Sequence, residues 1–256
     1  MNKLPVFLLL VILTSCTTHK KITYLQDLQE KEAFTPATPP EYRLQNRDIL
    51  YIQFFSLNAE MNTLLNGNAQ SQSTMYMGQS EGSAFISGYV VNDSGKVVIP
   101  LLGQVRVVGL SLGEATAAIQ QAADKLLKDA TVQVKLLSFK FTVLGEVARP
   151  GTYRNFNNQL TVLEAIGTAG DITSFGNRER VLVLRPGNNG TQTYRINLKT
   201  KDLLSSEAFF LLPNDIVYVE SIDSKIVQLN IPTISLLITT LFSTISTTLL
   251  ILNFSK

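Results

Sequence analysis

Tryptophan is absent from the 256 residues, and histidine and cysteine occur once each, as His19 and Cys16. A metal centre or nucleophilic dyad that needs several His or Cys side chains cannot be assembled from these two, and an intrachain disulfide has no second thiol. Charge is sparse as well. Only 16% of residues are charged, where about a quarter is usual, and 22 Lys and Arg against 20 Asp and Glu leave a net +2. Nothing in that balance forms the basic footprint that nucleic acid requires. The length allows a buried core and suits two small domains. A carboxylate-based enzyme, a binding module and a structural or transport component remain open, and no cofactor or metal is expected.

Both ends of the chain are distinctive. Met1-Asn2-Lys3 followed by an apolar stretch from Leu4 to Leu13 has the form of an export signal, a basic start and a hydrophobic region too short to span a bilayer. It closes on Leu13-Thr14-Ser15-Cys16, a pattern that resembles a bacterial lipobox, so Cys16 is the expected lipidation site and residues 1–15 the removed signal. Glu30 to Tyr42, with Pro36, Pro39 and Pro40 among polar residues, suits a tether.

At the other end, Thr233 to Asn253 runs 21 residues without a charge, about 31 Å as a helix, which predicts a transmembrane segment. Nine of the 21 are Ser or Thr. On a helical wheel Ile238, Leu241, Phe242, Ile245, Leu249 and Leu252 share one arc, the expected lipid-facing side. Ser235, Thr239, Ser243, Ser246 and Thr247 fall opposite, the expected pore-facing side. The alternative is a single-pass anchor whose hydroxyls bond back to their own helix.

Between the ends the sequence echoes itself. Ser111 with Glu114, and Thr161 with Glu164, have the spacing of a helix capping box, and Ala115, Ile119, Ala122 and Leu126 predict the buried face of the first helix. Asn46-Arg47-Asp48-Ile49 parallels Pro213-Asn214-Asp215-Ile216. Ser56 to Gly88 reads as a long loop, Asn92-Asp93-Ser94-Gly95 as a turn, and Val181–Arg185 with Tyr194–Leu198 as a hairpin. The alternation of Val132, Val134 and Leu136 changes phase at Leu137, Phe139, Phe141 and Val143, which implies a break and a domain boundary. Gly151 after Pro150 predicts a turn with positive φ.

GKVVIPLLGQVRVVGLSLGEA resembles the polysaccharide biosynthesis/export domain of Wza-type outer-membrane proteins. FTVLGEVARPGTY with LTVLEAIGTAGDITSFGNRERVLVLR resembles the SLBB domain, a β-grasp-like fold. YRLQNRDILYI is similar to the family's Tyr-x-Leu-x-x-Gly-Asp-x-Leu segment, with Arg47 in the glycine position. The expected organisation is a signal peptide (1–15), a tether (16–41), a polysaccharide export domain (42–137), an SLBB domain (138–222) and a C-terminal transmembrane helix (223–256). The fold class is α+β, two β-rich modules with one helix each.

The resemblance implies an outer-membrane, lipid-anchored subunit with its bulk in the periplasm, part of a ring-shaped homo-oligomer, an octamer in the family. It also implies an inner-membrane polysaccharide copolymerase, often a tyrosine autokinase, as partner, together with polysaccharide and membrane lipid. The expected function is export of capsular or extracellular polysaccharide. The competing readings are a saccharide-binding lipoprotein with a membrane anchor, and a polysaccharide-degrading enzyme, which would need two carboxylates facing one cleft, with Glu146, Asp171 and Glu179 as candidates.

Overall fold

The computed structural model describes residues 23–29, 31, 37–66, 88–127, 129–187 and 190–254. The first module is built on a three-stranded antiparallel sheet. Its central strand β1 (Ile49–Phe55) pairs with β2 (Tyr89–Val90) on one side and with β5 (Thr131–Leu136) on the other. A separate hairpin, β3 (Lys96–Ile99) with β4 (Gly103–Arg106), follows the Asn92–Gly95 turn. In that turn the Asn92 side chain accepts the N–H groups of Ser94 and Lys96, and Gly95 has φ +75°.

Two helices belong to this module. Helix α1 (Ala59–Asn66) lies within the stretch expected to be loop. Helix α2 (Leu112–Asp124) begins at the Ser111 cap, with Ser111 and Glu114 bonded reciprocally. Its buried residues are Ala115, Ile119 and Ala123, and Leu126 is 59% exposed. The expected face drifted by one position at its C-terminal end. Spacings of four keep Ala123 and the following Leu127 on the core side, against Leu50, Ile52 and Phe54 of β1.

The second module is a five-stranded mixed sheet in the order β7-β6-β10-β8-β9, formed by β6 (Lys140–Gly145), β7 (Gly151–Arg154), β8 (Gly176–Gly187), β9 (Gly190–Ile196) and β10 (Ile216–Ser221). Strand β10 runs parallel to β6 and antiparallel to β8. Helix α3 (Val162–Thr168) starts at Thr161 with the same reciprocal cap to Glu164 and buries Val162, Ala165 and Ile166. These pack with Phe141, Val143, Val181, Val183, Val217 and Val219. The two modules have separate cores, and Leu136 packs against both.

The echoed aspartates sit in matching turns. The Asp48 carboxylate accepts the Gln45 N–H at 2.8 Å and the Asp215 carboxylate accepts the Leu212 N–H at 2.8 Å. Gly151 does not have positive φ. It opens β7, and the strained turn glycines on either side are Gly145 (φ +87°) and Gly170 (φ +81°). At Gly145 a Cβ would lie 2.1 Å from the Val219 carbonyl oxygen, because parallel β6 and β10 approach closely there.

The expected architecture needs correction at the C-terminus. Helix α4 (Asp223–Phe254) forms and brings the α-helices of the described residues to four. Among the described residues, however, no helix is long and apolar enough to cross a membrane, so the expected transmembrane helix is not upheld. The described side chains of α4 beyond Lys225 run only from residue 235 to residue 248, fourteen positions, fewer than the roughly twenty a span requires.

Candidate functional site

Two regions gather side chains whose arrangement exceeds what the cores need. The first joins the two ends of the described chain. Residues 23–29 lie along the second module, where the Leu25 N–H donates to the Leu198 carbonyl at 3.1 Å and the Gln26 N–H to the Lys199 carbonyl at 2.7 Å. The Asp27 carboxylate accepts the Lys201 N–H at 2.7 Å. The Tyr24 hydroxyl donates to the Asp171 carboxylate, and burial together with that bond pushes its pKa up to about 12.

The Tyr24 ring lies 5.2 Å from the guanidinium carbon of Arg178, which is buried and donates to the Ile172 carbonyl at 3.0 Å. Two residues beyond Asp171, the Thr173 hydroxyl donates to Glu146 at 3.0 Å, and the other Glu146 oxygen pairs with the Lys225 ammonium in the first turn of α4. The Ile222 N–H donates to the Phe175 carbonyl at 2.8 Å. The segment from Asp171 to Phe175 therefore receives both the N-terminal strap and the base of α4. Cys16 lies outside the described residues.

The acids weighed for hydrolysis are engaged in these and similar contacts. Glu146 holds Lys225 and Thr173, Asp171 holds Tyr24, and Glu179 pairs with Lys199 at 2.6 Å. Among the described residues no group of three or more His, Cys, Asp or Glu could hold a metal ion. On α4, the residues expected to face lipid, Ile238, Leu241, Phe242 and Ile245, are exposed, while the side chains of Leu249 and Leu252 are outside the description. On the opposite face Ser235, Thr239, Ser243, Ser246 and Thr247 are exposed as well. The Thr247 hydroxyl donates to the Ser243 carbonyl at 2.7 Å, and Thr239 likewise bonds the carbonyl of Ser235, the back-bonding of the alternative reading.

The second region is a groove along the seam between the modules. The seam itself is pinned. The Ser138 hydroxyl donates to Asp48 at 2.9 Å, the Leu137 N–H donates to the Ile49 carbonyl at 2.8 Å, and Arg154 donates to the Leu137 carbonyl at 3.1 Å. Burial and the adjacent Asp48 carboxylate raise the pKa of Tyr42, whose hydroxyl donates to Asp48 at 2.9 Å.

One part of the groove, about 400 Å³, lies between Lys135 and the start of α2 on one side and Phe156, Asn158, Gln159 and Phe210 on the other. A second part, about 450 Å³, continues towards Gln45, Thr191 and Gln192. The two share Glu41, Tyr42, Leu212 and Pro213. No local sequence signal could have revealed this groove, because its lining is gathered from both modules, from Pro39 to Pro213.

The seam also separates two matches to known families. Residues 36–137 match the family of polysaccharide biosynthesis/export proteins, and residues 139–219 match the SLBB domain. A protein of Ralstonia nicotianae named EPS I polysaccharide export outer membrane protein EpsA is 31% identical over 123 residues, 46% of this chain and 32% of that protein. Its namesake from Ralstonia solanacearum is 32% identical over 110 residues, 41% of this chain and 29% of that protein. The matched region spans about a third of the length of these relatives. Families and names alike point to transport rather than to an enzyme. The chain thus carries, consecutively over residues 36–219, a domain of the polysaccharide biosynthesis/export family and an SLBB domain.

Proposed function

We propose that this protein is a subunit of an outer-membrane channel that passes polysaccharide from the periplasm to the cell surface, held at the membrane by lipid on Cys16 and working as a ring of identical copies. The observation that carries the reading is the strap. Tyr24, Leu25 and Gln26 fasten the N-terminal segment to the second module, and Cys16 precedes Thr23 by seven residues, so a lipid there would lie within about 25 Å of that module. A single acyl chain anchors only reversibly, and anchoring several copies in one ring adds their affinities. The scarcity of charge supports the reading further, since a surface of hydroxyls and amides offers a hydrated polymer many weak contacts. The partner at the inner membrane is a polysaccharide copolymerase.

The test replaces Cys16 with Ser in the full chain. Loss of acylation, failure to fractionate with the outer membrane and loss of surface polysaccharide are expected. An acylated, outer-membrane product from the Cys16→Ser gene would overturn the anchor. A detergent-solubilised protein that sediments as a monomer would overturn the ring.

A further inference from the structure

Phe156 leaves 58% of its surface exposed at the groove and belongs to neither hydrophobic core. Its neighbours in sequence are all amides: Asn155, Asn157, Asn158 and Gln159. The loop is nevertheless built with care. Asn155 is buried, its N–H donates to the Phe139 carbonyl at 2.9 Å, and its side chain donates to the carbonyls of Asn157 at 2.7 Å and Gln159 at 3.3 Å while accepting the Asn157 N–H at 3.1 Å. These four bonds hold the loop in one shape, and that shape keeps a phenyl ring in water, which folding alone does not reward. Beside it, the side-chain amides of Asn158 and Gln159 line the groove and make no hydrogen bond among the described residues.

A pyranose ring presents an apolar face of C–H groups and a rim of hydroxyls that both donate and accept. An exposed aromatic ring complements the first, and carboxamides, with a donor and an acceptor on one planar group, complement the second. The groove also continues past Tyr42 and Pro213 to further amides, Gln45 and Gln192. A passage of this form suits a chain molecule better than a compact ligand. Phe210, Pro39, Pro40 and Pro213 line the groove together with Phe156, so apolar edges alternate with amides along it, as C–H faces alternate with hydroxyls along a sugar chain.

We infer that the seam groove binds a stretch of saccharide chain, with Phe156 as the platform for one sugar ring and Asn158 and Gln159 as hydrogen-bonding partners of its hydroxyls. This assignment rests on the reading of the protein as a polysaccharide export subunit and adds to it the place where the polymer is held.

The experiment measures binding of an octasaccharide fraction, cut from the surface polysaccharide of the strain that carries this gene, to the full-length protein by calorimetry. Saturable binding is expected. Phe156→Ala should weaken it about 2- to 10-fold, the range that one aromatic contact supplies. Phe156→Tyr should retain it, and Leu57→Ala, which removes another exposed apolar side chain, should leave it unchanged. Absence of saturable binding, or equal affinity in Phe156→Ala, overturns the inference. So does a Phe156→Ala protein that loses its oligomeric state with its sugar affinity intact, which would make the groove a contact between subunits. Deletion of the gene tests the underlying reading separately: surface polysaccharide that persists in the deletion strain defeats the export function, whereas polysaccharide lost on deletion together with an indifferent Phe156→Ala defeats the groove alone.

Discussion

Arg47 and Asn214 share one left-handed backbone conformation, φ +72° and +70°, each immediately before a buried aspartate. Asparagine tolerates that conformation through its short polar side chain, whereas arginine has no such relief. The only ion pair Arg47 makes among the described residues is with Asp93, at 4.0 Å and almost fully exposed on both sides, so it contributes little. Arg47→Gly should stabilise the first module by about 0.5 to 1 kcal/mol, the strain relieved less the entropy glycine adds to the unfolded chain. Chemical denaturation of the two proteins decides it, and a lower midpoint in Arg47→Gly would refute the strain.

The matched aspartates differ in their partners, and so should their deletions. Asp215 is fully buried and receives the Arg185 guanidinium at 2.8 Å, with Arg185 itself largely buried. Burial raises the Asp215 pKa, against the lowering effect of Arg185 and the Leu212 N–H. Asp215→Ala would strand the arginine and should cost about 3 to 5 kcal/mol. Asp48 takes only neutral donors, the hydroxyls of Tyr42 and Ser138 and the Gln45 N–H, and Asp48→Ala should cost about 1 to 3 kcal/mol. Equal losses in unfolding free energy would contradict this ordering.

Glycine substitutions discriminate between two turns that look alike in sequence. Gly145→Ala places a methyl group on the Val219 carbonyl and should cost more than about 2 kcal/mol. Gly151→Ala meets nothing nearer than 3.9 Å and should leave the melting temperature nearly unchanged. Comparable destabilisation by both would show that the close approach of β6 and β10 is misassigned.

The attachment of α4 should respond to acid. The Lys225 ammonium, with help from the Thr173 hydroxyl, holds the Glu146 pKa below its usual value of 4.5. A depressed carboxylate contributes stability that is fully present above the unfolded-state value and is lost as pH falls through the lower folded-state value. Hydrogen exchange at Ile222 and Lys225 should therefore stay slow at neutral pH and accelerate only below about pH 4.5. In Glu146→Gln the exchange should be faster at neutral pH, with that acid step gone. An unchanged acid step in Glu146→Gln would assign it elsewhere.

Features set by local chemistry were legible in the sequence. Both capping boxes need only a hydroxyl and a glutamate three residues apart, and Ser111 and Thr161 behave as that spacing requires. The phase change at Leu136 and Leu137 corresponds to the passage from β5 of one sheet to β6 of another. What escaped notice depends on tertiary approach. Positive φ falls at Gly145 because β10, some seventy residues later, passes beside it, and nothing near Gly151 or Pro150 announces that. Helix α1 was hidden in a run of polar residues whose packing is against β1 rather than within the run, with Leu65 buried in the core. The groove at Phe156 needs both modules to exist at all.

The strap and the base of α4 meet on one short segment of the second module, from Asp171 to Phe175. Traction applied between the two ends of the described chain would thus pass from Tyr24 through Asp171 and Thr173 to Glu146 and Lys225. The first module hangs outside this line. Tension would load a handful of polar contacts in shear and leave the sheet around β1 unstressed, free to keep its shape while the chain ends are pulled.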